Sequence, residues 1–204
     1  MQILAKDLDS ALSYAAYSRY SEDLLETISR DTGNPMKEYA RTNWRILQRL
    51  KRSVILTEEL RRALSDSQEM IFVILTEGYC GDSAQTFPVF GLMQEKFPDK
   101  ITIRVVLRDE QPELAALFFH TRAIPRLICL DKQSLKERFS WGNRPAPAQA
   151  LMDALKTQRA TPNEKAIALH EWYAHDKTMT LQQELTRLLS DQKEHREIFP
   201  QPDT

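Results

Sequence analysis

Apolar residues at Leu8, Leu12, Ala15, Ala16, Leu24, Leu25 and Ile28 recur at helical spacing. They predict one helix from residue 7 to about 30, stopped by Asp31-Thr32-Gly33-Asn34-Pro35. A second helix follows Pro35, with Tyr39, Asn43, Trp44, Leu47 and Leu50 on one side and Arg41, Arg45 and Arg49 on another. Thr57-Glu58-Glu59 reads as a third helix start, a hydroxyl able to cap ahead of acids in the first turn, and this helix runs to about Leu64. At Met70 the period changes. Met70-Ile71-Phe72-Val73-Ile74-Leu75 is short, apolar and rich in β-formers, as expected of a strand buried on both faces.

From there the chain alternates. Ala84 to Phe97 is helical, with Phe87, Val89, Phe90, Leu92 and Met93 in register and Pro88 expected to kink it. Ile101 to Leu107 is a second strand, and Pro112 to Phe119 a helix with proline in its first turn. Arg126 to Leu130 and Lys136 to Trp141 are strands joined by the turn Asp131-Lys132-Gln133-Ser134, close enough to pair as an antiparallel hairpin. Ala146 to Lys156 closes this part as a helix. Two βα crossovers, a hairpin and a closing helix make a small α/β sandwich with a mixed sheet. Two tail helices follow, at about Glu164–His175 and Thr178–Lys193. Leu181, Leu185, Leu188 and Leu189 form a stripe suited to docking on the core.

Composition narrows the classes. Of 204 residues, 28% are charged and 42% apolar, and the net charge is -1, the profile of an ordinary globular protein rather than a nucleic-acid or membrane binder. Met1-Gln2-Ile3-Leu4-Ala5-Lys6-Asp7 lacks the basic and then apolar blocks of a signal peptide, and no apolar run is long enough to cross a bilayer. Two cysteines, Cys80 and Cys129, are too few for a disulfide framework, so a reducing cytoplasm is expected. The arginine row has two readings, a solvated face paired with Glu22, Asp23 and Glu26 of the first helix, or a docking surface for an acidic partner. The first is the commoner use of such runs.

The candidate chemistry sits at Tyr79-Cys80-Gly81-Asp82-Ser83, between the first strand and its helix. Read from the residues, this is a disulfide-exchange site without its second sulfur. A hydroxyl at Ser83 can donate to a thiolate but cannot form an S-S bond, so a two-electron cycle does not close. Cys80 at a helix start is favoured as a thiolate by free amides and the helix dipole, whereas Asp82 opposes it, leaving the net shift of the thiol unsigned. The plain alternative is an inert turn cysteine. Cys129, inside an apolar strand, reads as a small buried hydrophobe. Ala123-Ile124-Pro125-Arg126 puts a proline directly before a core strand, a candidate cis bond.

Other chemistries find no support in the pattern. His170 and His175 are five apart, which turns their rings away from each other on a helix, so no metal site is expected. No glycine-rich phosphate loop or Ser/His/Asp set can be assembled, no cofactor is called for, and basic residues are not interleaved with aromatics as nucleic-acid binding would need.

Together, Cys80-Gly81-Asp82-Ser83 after a strand, Ile124-Pro125 further on, and the hairpin with its final helix resemble the thioredoxin family. The resemblance implies a thioredoxin-like three-layer sandwich with a mixed four-stranded sheet over residues 57–157. Helical extensions at 1–56 and 158–204 would flank it. Trp141-Gly142-Asn143-Arg144-Pro145-Ala146-Pro147-Ala148-Gln149 and Glu171-Trp172-Tyr173-Ala174-His175-Asp176 further resemble a bacterial thioredoxin-like subgroup with a Cys-Gly-Asp motif. The resemblance implies Cys80 and Ser83 as catalytic positions. It also implies a substrate groove formed by Tyr79, Gly81, Asp82, Ile124, Pro125 and Arg126. The departures are Ser83 for the resolving cysteine, Tyr79 for a tryptophan, Ile74 for a buried acid and Arg126 for a threonine. Monothiol glutaredoxins share Cys-x-x-Ser, but their glutathione-holding double-glycine segment is missing. Two functions follow: monothiol exchange with protein thiols or disulfides through Cys80, or a non-catalytic module that binds a protein partner.

Overall fold

The computed structural model describes residues 5–120 and 123–198, with side chains from residue 6 to 120 and from 123 to 191. The elements are α1 (Ala5–Asp9), β1 (Leu12–Ser13), α2 (Tyr14–Arg30), α3 (Lys37–Ser53), α4 (Glu58–Ser65), β2 (Met70–Thr76), α5 (Gly81–Lys96) and β3 (Ile101–Leu107). They continue with α6 (Pro112–Phe118), β4 (Arg126–Asp131), β5 (Glu137–Gly142), α7 (Ala146–Thr157), α8 (Pro162–Asp176) and α9 (Met179–Ile198). Of the N-terminal segment in which signal-peptide blocks were sought, Met1–Leu4 lie outside the described residues.

Among the described residues one sheet forms in the order β1-β3-β2-β4-β5. β2 and β3 are parallel and every other pair is antiparallel, so the fold is α/β with a mixed sheet. β2 is central and all seven of its residues are buried. Its pleat sends Met70, Phe72 and Ile74 to one core and Ile71, Val73 and Leu75 to the other. The first core is sealed by Phe87, Phe90 and Met93 of α5, by Leu60 and Leu64 of α4, and by Leu181, Leu185 and Leu189 of α9. The second is sealed by Ala115 and Phe118 of α6 and by Leu8. The C-terminal leucine stripe thus docks on the same core as the sheet.

The sheet has five strands rather than four, because the expected helix from 7 to 30 is two helices with β1 between them. Leu12 pairs with Val105 and Ser13 with Arg104, and Ser13 then caps α2 by accepting the Ala16 amide at 3.2 Å. The apolar spacing of Leu8, Leu12 and Ala15 runs across the break, so periodicity alone does not reveal it. The N-cap residue does. α5 begins at Gly81, earlier than its apolar spacing implies, and runs unbroken through Pro88.

The interhelix pairing expected of the arginine row is not what forms. Arg41 pairs with Glu38 of its own helix at 3.0 Å and Glu26 with Arg30 of its own, while Glu22 is met from α3 by Lys51 and Gln48. Arg45 and Arg49 stand on the exposed side of α3. The buried side of α3 is Ala40, Asn43, Leu47 and Leu50, and it lies against α5 through Ala84.

Candidate functional site

Cys80 is the N-cap of α5, with extended backbone (φ -69°, ψ 119°). It follows β2 through the turn Glu77-Gly78-Tyr79, whose last hydrogen bond runs from the Cys80 amide to the Glu77 carbonyl at 3.1 Å. Its Sγ lies 3.8 Å from the Ile124 carbonyl oxygen, and the Ile124-Pro125 peptide is cis. Sequence-distant parts of the expected site therefore meet. Cys80 is only 9% exposed. Burial pushes it above its ordinary pKa. The Ser83 hydroxyl and the amides of Asp82 and Ser83 pull the other way, and the Asp82 carboxylate adds to the rise. A helix N-terminus alone predicts the opposite sign, but desolvation outweighs it here.

The remaining candidates divide. Ser83 is buried, and its Oγ lies 2.5 Å from Thr76 Oγ1, so the hydroxyl that could serve the sulfur is shared with the end of β2. Tyr79 is tied to the residues after β3. Its hydroxyl donates to Asp109 at 2.6 Å and accepts from Arg108 at 2.9 Å, and burial together with the Asp109 bond pushes it up to about 12. Arg126 is taken up by β5, donating to the Gly142 carbonyl at 3.2 Å and to Ser140 at 3.4 Å. Pro125 is buried and Ile124 half-buried. Cys129 is fully buried, and burial pushes its thiol up to about 12, so it is no substitute resolver.

Several residues that sequence reasoning did not single out close over the motif. From α2, Tyr17 donates to the Glu77 carbonyl at 3.3 Å and Ser21 to the Gly78 carbonyl at 3.2 Å. From α3, Tyr39 accepts the Gly81 amide at 3.0 Å, and Asn43, fully buried, donates to the Tyr79 carbonyl at 3.1 Å while its Oδ1 has no partner. A Cβ at Gly81 would stand 2.7 Å from the Tyr39 hydroxyl and 3.3 Å from Asn43 Oδ1, so glycine lets α3 approach. On the other flank Asp82, 8% exposed, receives Arg144 Nη2 at 2.6 Å and Nε at 3.2 Å on one oxygen, and the Tyr173 hydroxyl at 2.7 Å on the other. Burial opposes the Arg144 charge, but Asp82 overcomes this and holds the guanidinium above its ordinary value. Burial and Asp82 both push Tyr173 up.

The Asp82 contacts join three segments that the sequence offers separately: Cys-Gly-Asp, Trp141-Gly-x-Arg144, and Glu171-Trp-Tyr173. Trp141 takes part as well, donating to Glu184 of α9 at 2.6 Å. The shared spacing of those motifs was legible, but their mutual contact was not, because each partner lies on a different element. Among the described residues no cluster of histidine, cysteine and acidic side chains could hold a metal ion. No helix there is long and apolar enough to cross a membrane.

The sulfur sits at the N-terminus of a helix packed on a mixed sheet, near the Ile124 carbonyl just before Pro125 and β4, an arrangement within a thioredoxin-like fold. The thioredoxin family model matches residues 30–156, and the chain belongs to that family. The match takes in α3 and four strands of the sheet, β2 to β5, but not β1. Among solved structures, a protein of unknown function from Pseudomonas aeruginosa, PA1234, is similar at a TM-score of 0.60 and 16% identity. The likeness covers 94% of this chain and 99% of that one. An HIV 4E10 epitope scaffold is similar at a TM-score of 0.57 and 16% identity, over 92% and 97%. At that identity the likeness is one of fold, and it extends to the terminal helices. Among curated proteins none matches the sequence.

Proposed function

We propose that this chain is a cytoplasmic thioredoxin-fold protein, of the Cys-x-x-Ser, Cys-Gly-Asp kind. It uses the face around Cys80 to bind a protein partner and does not turn over disulfides by itself. The observation that carries this reading is the state of the Cys80 thiol, almost covered and raised by burial, beside a serine already bonded to Thr76. A nucleophile for exchange needs a thiolate near neutral pH, and burial in this setting works against one. Tyr39, whose hydroxyl accepts the Gly81 amide, keeps 36% of its surface exposed, and Met36, one helical turn earlier at the start of α3, keeps 46%, so this end of α3 offers apolar surface. The test is recovery of a partner by wild type, by Cys80→Ser, and by Met36→Glu with Tyr39→Ala. The reading expects the same non-covalent partner with the first two and its loss with the third.

Monothiol exchange is the second reading, favoured by one specific observation: Cys80 is the N-cap of α5 and its sulfur faces the carbonyl of Ile124 before the cis-proline. In that reading the Cys80 thiolate attacks a partner disulfide, forms a mixed disulfide and expels the partner's other sulfur as a thiolate. An external thiol then attacks the mixed disulfide and releases Cys80. A partner recovered only as a disulfide with Cys80, and absent from Cys80→Ser, would establish this second reading and overturn the first.

A further inference from the structure

Asp82 is a buried carboxylate two positions from the only sulfur at the site, and it is fully engaged. Arg144 reaches one oxygen through two nitrogens, at 2.6 and 3.2 Å, and the Tyr173 hydroxyl reaches the other at 2.7 Å. The arginine comes from the loop before α7 and the tyrosine from α8, so two elements have been brought to this one carboxylate. A buried ion pair is weak evidence for stability by itself. Both charges nevertheless act on Cys80, and with the Asp82 and Arg144 side chains only 9% and 16% exposed they are poorly screened.

We propose that Arg144 is a latent counter-ion for the Cys80 thiolate, kept from that role by Asp82, and that Asp82 is the positioning residue that sets the nucleophilicity of Cys80. While Asp82 and Arg144 are paired, their opposite charges largely cancel at the sulfur. Without the carboxylate the guanidinium stands alone beside Cys80 and favours the thiolate, and without the guanidinium the carboxylate stands alone and disfavours it. The groups that face Cys80 are Tyr17 from α2, Tyr39 from α3, Asp82 from α5, Arg144 from the loop before α7 and Tyr173 from α8. Glu77, in the preceding turn, is directed to the Asp109 amide at 2.6 Å. The three tyrosines are neutral near pH 7 and burial pushes each one up, so of these five groups Asp82 and Arg144 are the two that carry charge. The inference concerns how Cys80 is controlled and goes beyond the question of what binds there.

The experiment compares iodoacetamide alkylation of Cys80 at pH 7 in the full chain carrying Cys129→Ala, with and without changes at the pair. Asp82→Asn should alkylate about tenfold faster and Arg144→Met several-fold slower, while Asp82→Asn with Arg144→Met should return towards the starting rate. The opposite signs distinguish charge from loosened packing, which would expose the sulfur and speed both single variants. Both variants faster, both slower, or neither changed would overturn the inference. If Asp82→Asn does not fold, Arg144→Met against Arg144→Lys decides it: slower with methionine and restored with lysine supports the inference, and equal rates overturn it. Every comparison is relative, so its outcome is separable from whether Cys80 of the wild type proves reactive.

Discussion

The Gly81 amide, the first N-H of α5, donates to the hydroxyl of Tyr39 at 3.0 Å, across 42 positions of sequence. A helix start normally leaves such amides for solvent or an anion. Here one is used to hold α3 over the motif, and glycine leaves the room for it. Gly81→Ala puts a Cβ 2.7 Å from the tyrosine oxygen. It should cost about 2 kcal/mol by urea denaturation. In a Tyr39→Phe background the cost should fall to less than half, because the clashing oxygen is gone. Additive costs would place the strain elsewhere.

Asn43 is the polar residue of an otherwise apolar helix side, and it supplies the donor for the Tyr79 carbonyl. Asn43→Ala leaves that carbonyl unpaired and opens a void at a fully buried position. The expected loss is about 2 kcal/mol, together with faster alkylation of Cys80 as the turn loosens. An unchanged unfolding midpoint would mean that water or another donor replaces the amide.

Much of the fold was legible because the pattern and the packing agree. The unbroken apolar run of β2 is buried on both faces, and the Leu181, Leu185 and Leu189 stripe faces the core as its spacing implies. β1 was hidden because Leu12 suits a helix and a strand equally, and the Ser13 cap outweighs the spacing only once β3 offers an edge. At the site, Cys80 beside Ile124 and Pro125 was implied by the family resemblance of their motifs. Tyr39, Asn43, Arg144 and Tyr173 did not, because a buried contact between distant elements has no local signature. The sign of the Cys80 shift was illegible for the same reason: the helix start is local, whereas the burial that outweighs it comes from other elements.

Gly142 adopts φ +128°, and a Cβ there would stand 2.5 Å from the Pro125 carbonyl oxygen. Both partners are backbone, so neither can swing aside. Gly142→Ala should cost about 3 kcal/mol or more and displace Pro125, before β4, and the loop after β5 that carries Arg144. A stability within error of wild type in thermal and urea unfolding would refute this.

The β4–β5 turn sets an acid limit. Burial raises the Asp131 carboxyl, but Arg138 and the Ser134 amide and hydroxyl overcome it and hold the group well below the usual carboxylate range. A depressed pKa in the folded state gives stability that is present above the unfolded value of about 3.9 and is lost as pH falls through the folded value. Wild type should therefore exceed Asp131→Asn in stability near pH 6, and the gap should close steadily below about pH 4. A gap independent of pH would show that the contribution is geometric rather than ionic.

The surrounding helices keep Cys80 a protonated, sequestered thiol. The direct measurement is the rate of iodoacetamide alkylation against pH in the Cys129→Ala chain, with the same chain unfolded in urea as its reference near the free value of about 8.5. The folded midpoint should lie above the unfolded one, and the folded rate should be lower throughout the neutral range. A folded midpoint well below the reference would contradict it and mark Cys80 as a thiolate nucleophile.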